Sequence, residues 1–226
     1  MELSKPVKVT SLILKVIVFV SAILGTIISA IAGREHFMGG STVFMYFTIQ
    51  SNILMALICL IGAVIMLKKG KFSAAWYVIK LVGTVSITLT GVVFCFILAP
   101  TIKIEAWSLA NILTHVVVPL ASIIDFFVTG VYSNIKVKYV FFVLIPPLLY
   151  AAYAGIGFVR GWQFSPGHNY PYFFLDWGSP AGAFGFTKKL PFMGSGWWII
   201  ALMILLLIFG LLYLGILGLL KKIVKR

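Results

Sequence analysis

The chain has 226 residues, 62% of them hydrophobic and 10% charged, with a mean hydropathy of +1.11, whereas a soluble domain is roughly 45–50% apolar and about 25% charged. That composition excludes a soluble globular fold and points to an integral membrane protein. The net charge of +13 implies no nucleic-acid partner, because the basic residues gather at alternate ends of the apolar runs, where such clusters set topology and touch anionic lipid.

Runs of about 20 apolar residues, enough to cross some 30 Å of hydrocarbon as a helix, are Leu12 to Ala32, Val43 to Leu67, Trp76 to Ala99, Ser108 to Val131, Tyr139 to Val159 and Gly196 to Leu220. The expected fold is all-α: one six-helix transmembrane bundle over residues 1–226, with residues 160–195 as the single long connection. Lys5, Lys8 and Lys15 mark the start of the first span, Lys68, Lys69 and Lys71 follow the second, Lys136 and Lys138 follow the fourth, and Lys221, Lys222, Lys225 and Arg226 close the chain. By the positive-inside rule both termini are expected in the cytoplasm. The stretch "ISAIAG" at 28–33 resembles a small-residue cleavage site, but the apolar run before it is longer than a signal core of about 7–15 residues, so no cleavage is expected.

The second span opens with "YFTIQSN" and carries Thr48, Gln50, Ser51 and Asn52 into the hydrocarbon. Thr48, Ser51 and Asn52 share one helix face, while Gln50 points elsewhere. In the third span Lys80 is an isolated cation. The fourth span places His115 on one face with Ser108, Asn111 and Ser122, and Asp125 lies ten residues further on. Counted from the span starts at Val43 and Ser108, Thr48 is roughly 7–8 Å deep and His115 roughly 10 Å deep. Two helices running in the same direction thus carry a hydroxyl and an imidazole at nearly the same level. Since unpaired polar groups in hydrocarbon are costly, both stripes should face the interior. Asp125 is roughly 15 Å along the axis from His115, too far to orient it, and should instead pair with Lys80 or Lys15 as a structural ion pair. Pro119 is a candidate kink, without a matching interruption in another span.

The connection at 161–196 is rich in Gly, Pro and aromatics, as suits an ordered cap at the membrane interface. It supplies His168 and Asp176, on the same side as His36 and Glu35. A metal site built from these is chemically conceivable, but no HExxH or comparable spacing supports it, and neither metal nor cofactor is expected. Cys59 and Cys95 fall in spans and read as buried thiols.

Three short stretches, "YFTIQSN", "NILTHVVVPL" and "YPYFFLD", together with the six-span layout, resemble the androgen-induced family of six-helix membrane proteins and its bacterial relatives, a family that includes the androgen-dependent TFPI-regulating protein. Its eukaryotic members are threonine hydrolases of fatty acid esters of hydroxy fatty acids. The resemblance implies Thr48 as nucleophile and His115 as the essential histidine, in a threonine-dependent carboxylic ester hydrolase acting on an amphiphilic lipid ester. "YPYFFLD" is similar to the bacterial branch, which would place the protein in the plasma membrane.

Spacing suggests the supporting cast. A threonine hydroxyl needs a base within hydrogen-bond reach. Asn111 is the first choice to hold the imidazole, with Asp176 or a loop carbonyl as alternatives. Asn52 or Ser51 would donate to a developing oxyanion. Phe44, Met45, Phe47, Phe94 and Phe96 are candidate walls of a lipid pocket. The rival reading is a non-enzymatic lipid or small-molecule carrier or scaffold whose polar stripe lines a binding cavity.

Overall fold

The computed structural model describes residues 3–32, 40–68, 71–101 and 106–224. Six helices in it are long and apolar enough to cross a membrane, so the chain is a multi-pass membrane protein. They are α1 (Lys5–Ala32), α2 (Phe47–Leu67), α3 (Ala74–Thr101), α4 (Leu109–Gly130), α5 (Val137–Val159) and α6 (Ser195–Val224). No strand occurs among the described residues, only two isolated bridges in the cap between α5 and α6.

Boundaries shift where interfacial chemistry decides them. α1 begins at Lys5 rather than Leu12, because long lysine side chains let a helix continue past the hydrocarbon while their ammonium groups stay in water. α6 likewise runs to Val224 with Lys221 and Lys222 in its last turn, where cations oppose the negative end of the helix dipole. α2 starts later than its apolar run. Gly40–Met45 forms a 3-10 turn, and Tyr46, extended at φ −93° and ψ 138°, is the N-cap. Thr48 is therefore the second residue of α2, at the positive end of its dipole.

α3 is the central helix. Of its most apolar window 67% is buried, against 22% for α6, and it packs on α2, α4, α5 and α6. Ser73 caps its start, accepting from Trp76 N–H at 3.1 Å. Leu81, Val85 and Leu89 of α3 share one apolar cluster with Phe126, Val143, Leu206 and Leu217. Ile87 turns to a second cluster with Val18, Met55 and Val118. α1 packs on α2 and α4 and shows lipid-facing residues such as Ile13, Val16 and Val20 on its outer side. Cys59 is buried as expected, whereas Cys95, in a π-helical turn of α3, is only partly so.

At the end of the bundle away from the cap, Asp125 of α4 pairs with two lysines. Its carboxylate lies 2.7 Å from Lys15 Nζ of α1 and 2.6 Å from Lys80 Nζ of α3. Lys15 also donates to Ser11 Oγ at 2.7 Å, and Lys80 to Thr129 Oγ1 at 2.6 Å and to the Asp125 carbonyl at 2.8 Å. Each ammonium thus has a full set of acceptors, and three helices are joined through one carboxylate. Removing one member of such a buried pair leaves an uncompensated charge, so Asp125→Asn should cost about 3–5 kcal/mol and lower the thermal midpoint in detergent. Its ligand binding or turnover per folded molecule should be nearly unchanged. A folded, fully expressed Asp125→Asn protein without activity would give Asp125 a chemical role.

Candidate functional site

The cap end of the bundle holds the second polar cluster. Thr48 is 7% exposed and His115 5%, and Thr48 Oγ1 lies 3.3 Å from His115 Nε2. On the far side of the ring, Nδ1 is 3.1 Å from the Asn111 carbonyl oxygen and 3.0 Å from Thr114 Oγ1. A carbonyl only accepts, so Nδ1 carries the proton and Nε2 presents its lone pair to the Thr48 hydroxyl. Thr114 Oγ1 donates to Ala110 O at 2.8 Å and is left to accept. Phe94 of α3 stacks on the imidazole at 3.8 Å between centroids and 19° between planes, so the ring is fixed in plane as well as in tautomer.

The local backbone makes this possible. His115 sits in a π-helical turn, Leu113–Val117, ahead of Pro119, which has no N–H to give the carbonyls one turn back. Two glycines let neighbours close on that turn. A Cβ at Gly91 would stand 2.8 Å from the His115 carbonyl oxygen, and one at Gly25 would stand 2.6 Å from Thr114 Cγ2. The freed Thr114 carbonyl accepts from Asn52 Nδ2 at 3.1 Å, and the same amide donates to the Thr48 carbonyl at 2.8 Å. One side chain therefore ties the first turn of α2 to the π turn of α4 and sets Thr48 level with His115.

Several supporting roles read from spacing change. The Asn111 side chain does not hold the imidazole; its amide donates to Ala106 O at 2.9 Å, and it is the Asn111 carbonyl, four residues back, that the ring meets. Asp176 is spent within the cap, accepting from Gly178 N–H at 3.0 Å. Asn52 and Ser51 are not free oxyanion donors. The Asn52 amide is committed as described, and Ser51 Oγ donates to Thr48 O at 3.0 Å and meets Thr90 Oγ1 at 2.8 Å. Of the candidate wall residues, Phe44 and Phe96 are 51% and 76% exposed, facing outward. Phe47 lines a narrow apolar cleft beside Thr48, with Leu89, Val93, Leu202 and Met203 on its walls and a volume of about 60 Å³. His36 and Glu35 lie outside the described residues. His168 is on the exposed cap with Nδ1 3.0 Å from Pro166 O, and among the described residues no three His, Cys, Asp or Glu side chains converge.

Tyr172 of the cap is the residue that spacing did not single out. Its hydroxyl accepts from Thr48 N–H at 3.3 Å and is 3.4 Å from Thr48 Oγ1. Burial pushes its phenol above the ordinary value, so it stays protonated and able to donate at physiological pH. The signal available was its place in "YPYFFLD", with no spacing rule to aim it at Thr48. Tyr46 Oη donates to Phe164 O at 2.9 Å and Tyr150 Oη to Met45 O at 3.0 Å, docking the cap and α5 onto the entry to α2.

The chain matches no protein-family model, no curated protein and no solved structure.

Asn52→Leu keeps the volume of the clip and removes both donors. Leaving the buried Thr114 carbonyl unsatisfied should cost about 1–3 kcal/mol, seen as a lower thermal midpoint. In nitrogen-labelled protein the His115 ring, a single Nδ1–H tautomer at first, should become a mixture. An unchanged midpoint and ring spectrum would show that Asn52 does not set the register.

Proposed function

We propose that the protein hydrolyses a lipid ester inside the membrane, a fatty acid ester of a hydroxy fatty acid or a similar amphiphile, with Thr48 as nucleophile and His115 as general base. The observation that carries this reading is the buried contact of Thr48 Oγ1 with a His115 Nε2 whose opposite nitrogen is held by a backbone carbonyl. An unactivated threonine is a poor nucleophile, and an imidazole of fixed tautomer is what activates it.

The steps balance on these groups. Thr48 Oγ attacks the ester carbonyl carbon as its proton passes to His115 Nε2, giving a tetrahedral oxyanion. The Tyr172 hydroxyl, 3.4 Å from Thr48 Oγ1, would donate to that oxygen, and the dipole at the start of α2 favours the negative charge there. Collapse breaks the bond to the alcohol, which takes the proton from Nε2 and leaves acyl-Thr48. Water then attacks the acyl carbon, gives its proton to Nε2, and releases the fatty acid as Thr48 recovers its hydrogen. The apolar cleft suits an acyl chain. Lys5, Lys8, Lys68, Lys71, Lys136, Lys138, Lys221 and Lys222 favour a cytoplasmic location for both termini and for the Asp125 end, which would put the reaction in the outer leaflet.

Members of a catalytic unit are non-additive. Thr48→Ala and His115→Ala should each lower turnover by several orders of magnitude, the double variant should be little worse, and a fluorophosphonate label should map to Thr48. A carrier or scaffold predicts partial, additive losses in binding and no adduct. Tyr172→Phe should lower the rate about 10²-fold, as loss of one oxyanion donor does, with KM less affected. Retained turnover in Thr48→Ala, or a label on Ser51, overturns the assignment.

A further inference from the structure

On the other side of Phe47 lies a second, roomier cavity of about 270 Å³, between α2 and α5. Phe47, Ser51 and Leu54 of α2 face Pro146, Tyr150 and Tyr153 of α5, each set spaced as one helix face. Ser86 of α3 also lines it. On the rim stand Leu149, 66% exposed, and exposed Gln50, whose Nε2 is tied to Phe44 O at 3.0 Å. The groove opens to the outer surface of the bundle between two of its membrane-span helices.

Thr26 and Ser122 of other spans are, like Ser86, buried hydroxyls without a partner, and of these Ser86 is the one that lines this groove. Its neighbours Thr84, Thr88 and Thr90 each donate to the carbonyl four residues back, at 2.7, 2.7 and 3.3 Å, the ordinary refuge of a hydroxyl in an apolar helix. Ser86 is only 1% exposed, and its hydroxyl has no partner. A buried unpaired hydroxyl is costly, and this one belongs to a residue lining an otherwise largely apolar groove.

We infer that the groove between α2 and α5 is a lateral binding site for a single-chain membrane amphiphile, whose carbonyl or hydroxyl oxygen accepts a hydrogen bond from Ser86 Oγ. Its chain lies along Leu54 and Tyr153. Phe47 and Tyr150, with ring centroids 5.2 Å apart, line both this groove and the cleft at Thr48; they form the partition a lipid would pass to reach the threonine. Binding in the groove does not depend on the hydrolytic reading, although it supplies that reading with a route from the bilayer.

The test uses the full-length protein in phosphatidylcholine vesicles with a long-chain ketone bearing a diazirine, and the matching diazirine alkane. Photolabelling of peptide 146–153 by the ketone should exceed that of the lipid-facing α1 surface by about five- to tenfold, the scale of one hydrogen bond in an apolar site. The alkane should show no excess. Ser86→Ala should abolish the excess at a thermal midpoint no lower than that of the unmodified protein. Thr48→Ala should keep it in full, which separates this inference from the fate of the hydrolase reading. Absence of an excess in the unmodified protein, an equal excess with the alkane, or an excess that survives Ser86→Ala overturns the proposal.

Discussion

A polar group inside hydrocarbon is costly unless it finds a partner within the protein. That cost gathers most of the interior polar groups of this bundle into two centres toward opposite ends of α3, with Thr84 and Thr88 hydrogen-bonded along the helix between them. At one end the carboxylate of Asp125 collects Lys15 and Lys80; at the other, Thr48, Ser51, Asn52, Thr90, Thr114 and His115 are linked by hydrogen bonds. The first centre joins α1, α3 and α4 through charge. The second joins α2, α3 and α4 through neutral hydrogen bonds. The helices are thereby aligned at both ends, and Leu81, Val85 and Leu89 fill the space along α3 with neighbours from α4, α5 and α6.

The cap-end centre depends on a departure from regular helix. In an unbroken α-helix the carbonyls of Asn111 and Thr114 would both be spent on backbone N–H groups. The π turn at Leu113–Val117 and the missing N–H of Pro119 loosen that ladder. One carbonyl can then hold His115 Nδ1 while another receives Asn52. α3 has its own π turn at Phe94–Leu98, and its first residue, Phe94, stacks on the imidazole. Two irregular turns thus meet at the histidine. Gly91, which has no side chain to keep α3 away from the His115 carbonyl, permits that meeting.

The cap contributes a side chain to the polar centre as well as covering it. Tyr172 brings a neutral phenol onto the first turn of α2, where Thr48 N–H has no intrahelical acceptor. Stacked on Phe174 at 5.0 Å and edge-on to Tyr46 at 5.7 Å, its ring is held among aromatics.

The sequence by itself determined the solvent, the number of spans and the interior placement of the polar stripes, because apolar run length and the cost of unpaired polarity are local properties of composition. It also determined that Thr48 and His115 lie near one level, since both depths are counted along helices of known rise. Asp125 pairing with a lysine was legible too, but that both Lys15 and Lys80 close on it was not. Tertiary structure alone decided which atoms do the holding. Asn111 acts through its carbonyl rather than its amide, Asn52 became a clip, Ser51 turned to Thr90, and Tyr172 arrived from a loop more than a hundred residues away in sequence. Helix periodicity assigns a side chain to a face, whereas a π turn, a missing proline N–H and the folding back of a cap depend on contacts between distant segments, which no local spacing encodes.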